Sequence, residues 1–175
     1  MSALNHCHNN NESSTDPPKH AIATVLVIED NEIELELLHE TLQANGFSST
    51  KANNVQEGLT HIMRNTFDIA IIDIFLPDGN GFKLLKLFTE KYEHVINIII
   101  TGNASIENAE KAMTLGADGY VIKPYDFESL EQLMVSCLNS KRLEKVHEIN
   151  KLSPHSQMKS KNNEPSLLSK FYKQL

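Results

Sequence analysis

A run of apolar residues, FDIAIIDIFLPDGNGF at positions 67–82, ends its first half on a carboxylate, Asp73. Taking a carboxylate out of water without a partner costs several kcal/mol, so Asp73 needs partners from elsewhere in the chain. Glu29-Asp30, Thr101-Gly102 and Lys123-Pro124 each follow a short apolar run of the same kind. Alone, each has an ordinary reading: an Asp after a strand caps a helix, a Lys is solvated, and a Thr suits a strand. Together they make a set of three acids, one hydroxyl and one ammonium. Clustered acids hold a hard divalent cation on oxygen ligands. A carboxylate whose charge is neutralised by a metal and an ammonium can attack a phosphoryl group.

The elements that position this set follow a rhythm. TVLVI at 24–28 reads as a strand, and NEIELELLHETLQANGF carries Leu35, Leu38 and Leu42 at helical spacing up to a stop at Gly46. The pattern recurs as a weak strand at 47–53, a helix at 55–65, the strand DIAII, a helix at 82–91, the strand VINIII, a helix at 105–115, the strand GYVI and a helix at 126–139. Alternation of buried strands and helices predicts an α/β fold. Its core is a doubly wound, five-stranded parallel sheet with helices on both faces. Ligands of such sheets gather outside the carboxyl ends of the strands, which is where all five groups fall.

Composition narrows the setting. Residues 1–139 hold 8 of the 16 basic and 20 of the 23 acidic residues, whereas 140–175 hold 8 basic and 3 acidic. An acidic body argues against nucleic acid as a specific partner. Cys7 and Cys137 are far apart and lack a metal spacing, which points to free thiols in a reducing, cytoplasmic setting. His6, Cys7 and His8 make an incomplete metal site within an Asn-rich start. No segment has the roughly 18 apolar residues of a spanning helix.

The motifs VLVIEDN, DIAIIDIFLPDGNGF, IIITGNAS and GADGYVIKPYD resemble the response-regulator receiver domain of two-component signalling over about residues 22–140. The intervals agree too, with 28 residues from Asp73 to Thr101 and 22 from Thr101 to Lys123. The resemblance implies the flavodoxin-like receiver fold, with Asp73 as phospho-acceptor, Thr101 as switch hydroxyl and Lys123 as phosphate-binding cation. It implies a Mg²⁺ site made by Asp30, Asp73 and the backbone carbonyl of Phe75, with Glu29 as an acidic companion reaching the ion through water. It also implies a cis Lys123–Pro124 peptide and Tyr120 as the switch aromatic. Phe75 and Asn103 hold positions that tune hydrolysis in the family, and a bulky Phe75 would lengthen the phosphate lifetime.

Three segments are expected: a disordered tail at 1–20, the receiver at 21–140, and a helical extension with a basic tail at 141–175 that is too short for an output domain. Leu143, Val146, Ile149 and Leu152 would continue the last helix as far as Pro154, and LLSKFYKQL would end the chain as a short basic amphipathic element. On the first helix Ile33 and Leu37 point away from the Leu35/Leu38/Leu42 stripe and are candidates for docking an upstream partner. The expected partners are a histidine kinase or histidine phosphotransfer protein, a downstream protein target, and a second copy of the chain after phosphorylation. A phosphorylation-independent interaction module is the alternative. A hydrolase-like enzyme is disfavoured, because neither a second nucleophile–base pair nor a Gly-rich phosphate loop is present.

Overall fold

The computed structural model describes residues 21–152. The Cys7 segment, Pro154 and the LLSKFYKQL element lie outside them.

Strand β1 (Thr24–Ile28) leads into helix α1 (Glu32–Ala44), β2 (Ser48–Ala52) and α2 (Val55–Arg64). Next come β3 (Ile69–Asp73), the two-residue strands β4 (Phe75–Leu76) and β5 (Gly79–Asn80), and α3 (Gly81–Lys91). The chain continues through β6 (Ile96–Thr101), α4 (Ile106–Thr114), β7 (Gly119–Ile122) and α5 (Phe127–Leu152). Five strands form one parallel sheet in the order β2-β1-β3-β6-β7. Strand order reverses beside β1 and β3, which places a crevice at their carboxyl ends.

Side chains alternate across the central strands, so each strand feeds both faces. Leu26, Ile28, Ala70, Ile72 and Ile99 join Ile62, Leu84, Leu85, Phe88 and Ala112 on the face covered by α2, α3 and α4. Val25, Val27, Ile69, Ile71, Ile98 and Ile100 join Leu35, Leu38, Leu42, Leu130, Met134 and Leu138 on the face covered by α1 and α5. Burial at roughly 25 cal/mol per Å² on both faces is the main force holding the strand ends in register. Helices start where an oxygen side chain takes up orphan amides: Asn31 accepts from Ile33 and Glu34, Asn54 from Glu57, and Ser105 from Asn108. Gly46, at φ 85°, turns the chain after α1 in the left-handed conformation that side chains resist.

One element goes beyond the sequence reading and another follows it. LPDGNG is not only a turn but the antiparallel hairpin β4–β5, pairing Phe75 with Asn80 and Leu76 with Gly79. The last helix continues as expected from the 126–139 segment through the Leu143–Leu152 stretch, running 26 residues to Leu152 with Leu143, Val146 and Ile149 exposed.

Candidate functional site

Asp73 closes β3 and is buried, 7% exposed. Its Oδ1 accepts from the backbone N–H of Phe75 at 2.9 Å and its Oδ2 from Lys123 Nζ at 2.8 Å. The carboxylate therefore has the partners its burial demands, one from the next turn of chain and one from the far edge of the sheet. Glu29, just after β1, is also buried and accepts from the same Lys123 Nζ at 2.5 Å and from Asn31 N–H at 3.2 Å. Asp30 beside it is exposed, and oxygens of Glu29, Asp30 and Asp73 all lie within 4.8 Å of one another. Three hard oxygen donors so close together suit Mg²⁺.

Lys123 follows β7, and the Lys123–Pro124 peptide is cis. Its backbone N–H donates to Thr101 O at 2.9 Å, which ties the lysine's loop to the end of β6. Burial disfavours the ammonium, but its bonds to Asp73, Glu29 and Glu34 outweigh that and hold its pKa above the usual lysine value. Glu29 shifts in the opposite sense for a carboxylate: burial raises it, Lys123 pulls it back, and the charge of Asp73 adds to the rise.

Thr101 is fully buried, and its Oγ1 accepts from Asn103 N–H at 3.1 Å. A side chain added at Gly102 would meet nothing within 4 Å, so the space beside the threonine is open. Tyr120, in β7, packs against the α2–α3–α4 cluster, and its hydroxyl is buried without a hydrogen-bond partner among the described residues. Phe75 turns its ring outward, 51% exposed. Ile33 and Leu37 are 80% and 64% exposed on α1. Leu37 also lines a cavity of about 580 Å³ between α1 and the segment Lys123–Phe127, with Leu38, Thr41, Pro124 and Tyr125.

Three residues were not singled out by the sequence reading. Glu34, in the first turn of α1, forms an ion pair with Lys123 at 2.7 Å; an acid there ordinarily signals only favourable interaction with the helix dipole. Asp78, at the tip of the β4–β5 hairpin, accepts from Val55 and Gln56 N–H at 2.8 and 3.0 Å, so the hairpin caps α2. Desolvation pushes its carboxyl up, but the backbone amide bonds together outweigh that and keep it below the usual range. Gly81 sits where an added Cβ would lie 2.0 Å from the carbonyl oxygen of Asp73. Only the PDG signal of a tight turn hinted at either of the last two.

The family model described as "Response regulator receiver domain" matches residues 25–135, which include every group of this pocket. The chain belongs to the response regulator receiver domain family. The receiver is 32% identical over 106 residues to the transcriptional regulatory protein CusR of Escherichia coli (strain K12), which covers 61% of this chain and 47% of CusR. It thus spans about half the length of that curated relative. Among solved structures it resembles the CheY-like receiver domain protein of Methanospirillum hungatei JF-1, with a TM-score of 0.67 at 30% identity, covering 69% of this chain and 97% of that one. It also resembles a response regulator of Burkholderia pseudomallei solved with a phosphorylated aspartic acid, calcium ion and citrate, with a TM-score of 0.62 at 28% identity, covering 71% of this chain and 74% of that one. Receiver domains are signalling modules that bind Mg²⁺ at an acidic pocket, and the acidic cluster of this one is Glu29, Asp30 and Asp73. Among the described residues no helix is long and apolar enough to cross a membrane.

Proposed function

We propose that this receiver accepts a phosphoryl group on Asp73 from a histidine kinase or histidine phosphotransfer protein and passes the signal on through protein contacts. The observation that carries the reading is the buried Asp73 carboxylate, held between the Phe75 amide and the Lys123 ammonium beside two further acids. Asp30, Asp73 and the Phe75 carbonyl would hold Mg²⁺, with Glu29 reaching it through water. When bound, the metal neutralises charge that would otherwise repel an anionic donor. A carboxylate oxygen of Asp73 forms the new O–P bond while the donor's P–N bond breaks, its electron pair leaving with the histidine nitrogen. The Phe75 amide orients the attacking carboxylate. Lys123 already donates to that carboxylate and transfers its bond to a phosphoryl oxygen as the group arrives.

A phosphoryl group brings nearly two negative charges and three acceptor oxygens. The Thr101 hydroxyl turns to donate to one of them, giving up its bond from the Asn103 amide. Tyr120 repacks beside it, and its unpartnered hydroxyl gains the opportunity to bond. The surface of α4, β7 and α5 then changes, and it already exposes Ile106, Met113 and Ile122. That face, with the Leu143–Ile149 stripe of extended α5, is the surface for a downstream protein or a second phosphorylated copy. Ile33 and Leu37 offer the upstream partner an apolar dock next to the pocket.

Incubation with acetyl phosphate and Mg²⁺, followed by intact-mass measurement, should add one phosphoryl mass that Asp73→Asn abolishes. Undiminished labelling of the variant would move the acceptor elsewhere. An unlabelled wild type that still binds its partners would favour a phosphorylation-independent module.

A further inference from the structure

A lysine ammonium has three N–H donors. Lys123 points Nζ at three carboxylates, Asp73 at 2.8 Å, Glu29 at 2.5 Å and Glu34 at 2.7 Å. The first two belong to the acidic pocket. Glu34 does not, and no step of the reaction above uses it. Its side chain is 47% exposed, so it stands at the mouth of the pocket rather than in its floor. It is nonetheless held in place, because its other oxygen accepts from Asn31 Nδ2 at 3.2 Å, the residue that caps α1. The bonds of 2.7 and 2.8 Å share one nitrogen, so a Glu34 oxygen lies within about 5.5 Å of Asp73 Oδ2.

We infer that Glu34 determines donor specificity: its fixed negative charge at the pocket mouth disfavours small, highly anionic phosphoryl donors relative to donors that bring positive charge with the phosphoryl group. The inference rests on Asp73 as the acceptor. With Mg²⁺ bound, the three pocket carboxylates and Glu34 still outweigh the ammonium and the ion by one negative charge, and Glu34, set apart from the metal-binding acids, is an exposed carboxylate at the mouth that an arriving donor meets. A protein donor with a basic side chain beside its phosphohistidine meets Glu34 as an ion pair, so the same charge that repels the small anion attracts the protein surface. Glu34 leaves the chemistry itself unaltered. With acetyl phosphate the P–O bond breaks and its pair leaves on acetate. With phosphoramidate the P–N bond breaks and ammonia leaves, its nitrogen already carrying the protons it needs. In both cases Asp73 supplies the new O–P bond.

The two small donors differ in charge, since at neutral pH acetyl phosphate is largely a dianion and phosphoramidate a zwitterion of single net negative charge. Rates of phosphoryl gain on the full chain with Mg²⁺, followed by intact mass, test the inference. Glu34→Gln should speed labelling by acetyl phosphate by roughly two- to fivefold, the range of a partly exposed charge interaction. It should speed phosphoramidate distinctly less, and added salt should shrink the difference. Glu34→Asp, which keeps the charge, should stay near wild type. Equal acceleration of both donors, no acceleration, or slowing of both would overturn the charge filter while leaving Asp73 as acceptor. A wild type labelled by neither donor would instead remove the acceptor reading itself.

Discussion

Two lysines at opposite ends of the sheet are each held by oxygen acceptors, and the acceptors differ in kind. At the carboxyl edge Lys123 bonds to three carboxylates. At the amino edge Lys141, from α5, donates to the backbone carbonyls of Glu93 and Val95 at 2.9 Å each, with Asp118 3.7 Å away. Carbonyl acceptors carry no net charge and cannot leave the backbone, so Lys141 works as a latch fastening α5 to the loop before β6. Carboxylate acceptors repel one another, so Lys123 is held among competing charges, and in the proposed reaction it would pass one of these bonds to the incoming phosphoryl group. The same type of side chain is a latch at one end of the fold and, under the proposed function, a participant in the chemistry at the other because of what faces it.

The backbone shows the same division, and it predicts the largest effect. Gly81→Ala would drive a Cβ to 2.0 Å from the Asp73 carbonyl, a backbone atom with nowhere to move, and should cost about 3 kcal/mol in urea unfolding. At the amino edge Gly116, at φ 87°, faces the Thr89 side chain, whose methyl lies 2.7 Å from an added Cβ and can swing away only by giving up the hydroxyl's bond to Leu85 O. Gly116→Ala should then cost the left-handed conformation and that bond, about 2 kcal/mol. Equal losses would mean the pocket's backbone is no more rigid than the base.

Next in size is Lys123→Met, expected to cost about 2 kcal/mol at neutral pH because it leaves buried carboxylates facing one another. Its pH dependence has a definite sign. Burial raises the folded-state pKa of Glu29 above 4.5, against the pull of Lys123, so that group's contribution to stability is fully present below 4.5 and lost as pH rises through the folded value. Without Lys123 the rise is larger, and the variant's deficit should widen as pH climbs from about 4.5 towards neutrality. Lys141→Met should cost least, about 1 kcal/mol, with a deficit nearly flat between about pH 5 and 8, since carbonyls do not titrate. Parallel pH profiles for the two variants would erase the distinction.

The sequence alone determined the layers of this fold and the contents of its pocket. Apolar runs of strand length alternating with helical stripes leave few ways to bury both faces of a sheet, and the acids, hydroxyl and lysine all sit where those runs end. What it left open are contacts between residues distant in the chain and ordinary in their own segments. Glu34 reads locally as a first-turn helix acid, Asp78 as a turn residue and Lys141 as a solvated helix lysine. Parallel pairing of β1, β3, β6 and β7 brings Glu34 to Lys123, the β4–β5 hairpin carries Asp78 to α2, and the length of α5 delivers Lys141 to Glu93 and Val95. Periodicity records which face a side chain takes. Only the packed fold sets how far along that face its partner lies, because that distance depends on register and crossover geometry summed over the whole sheet.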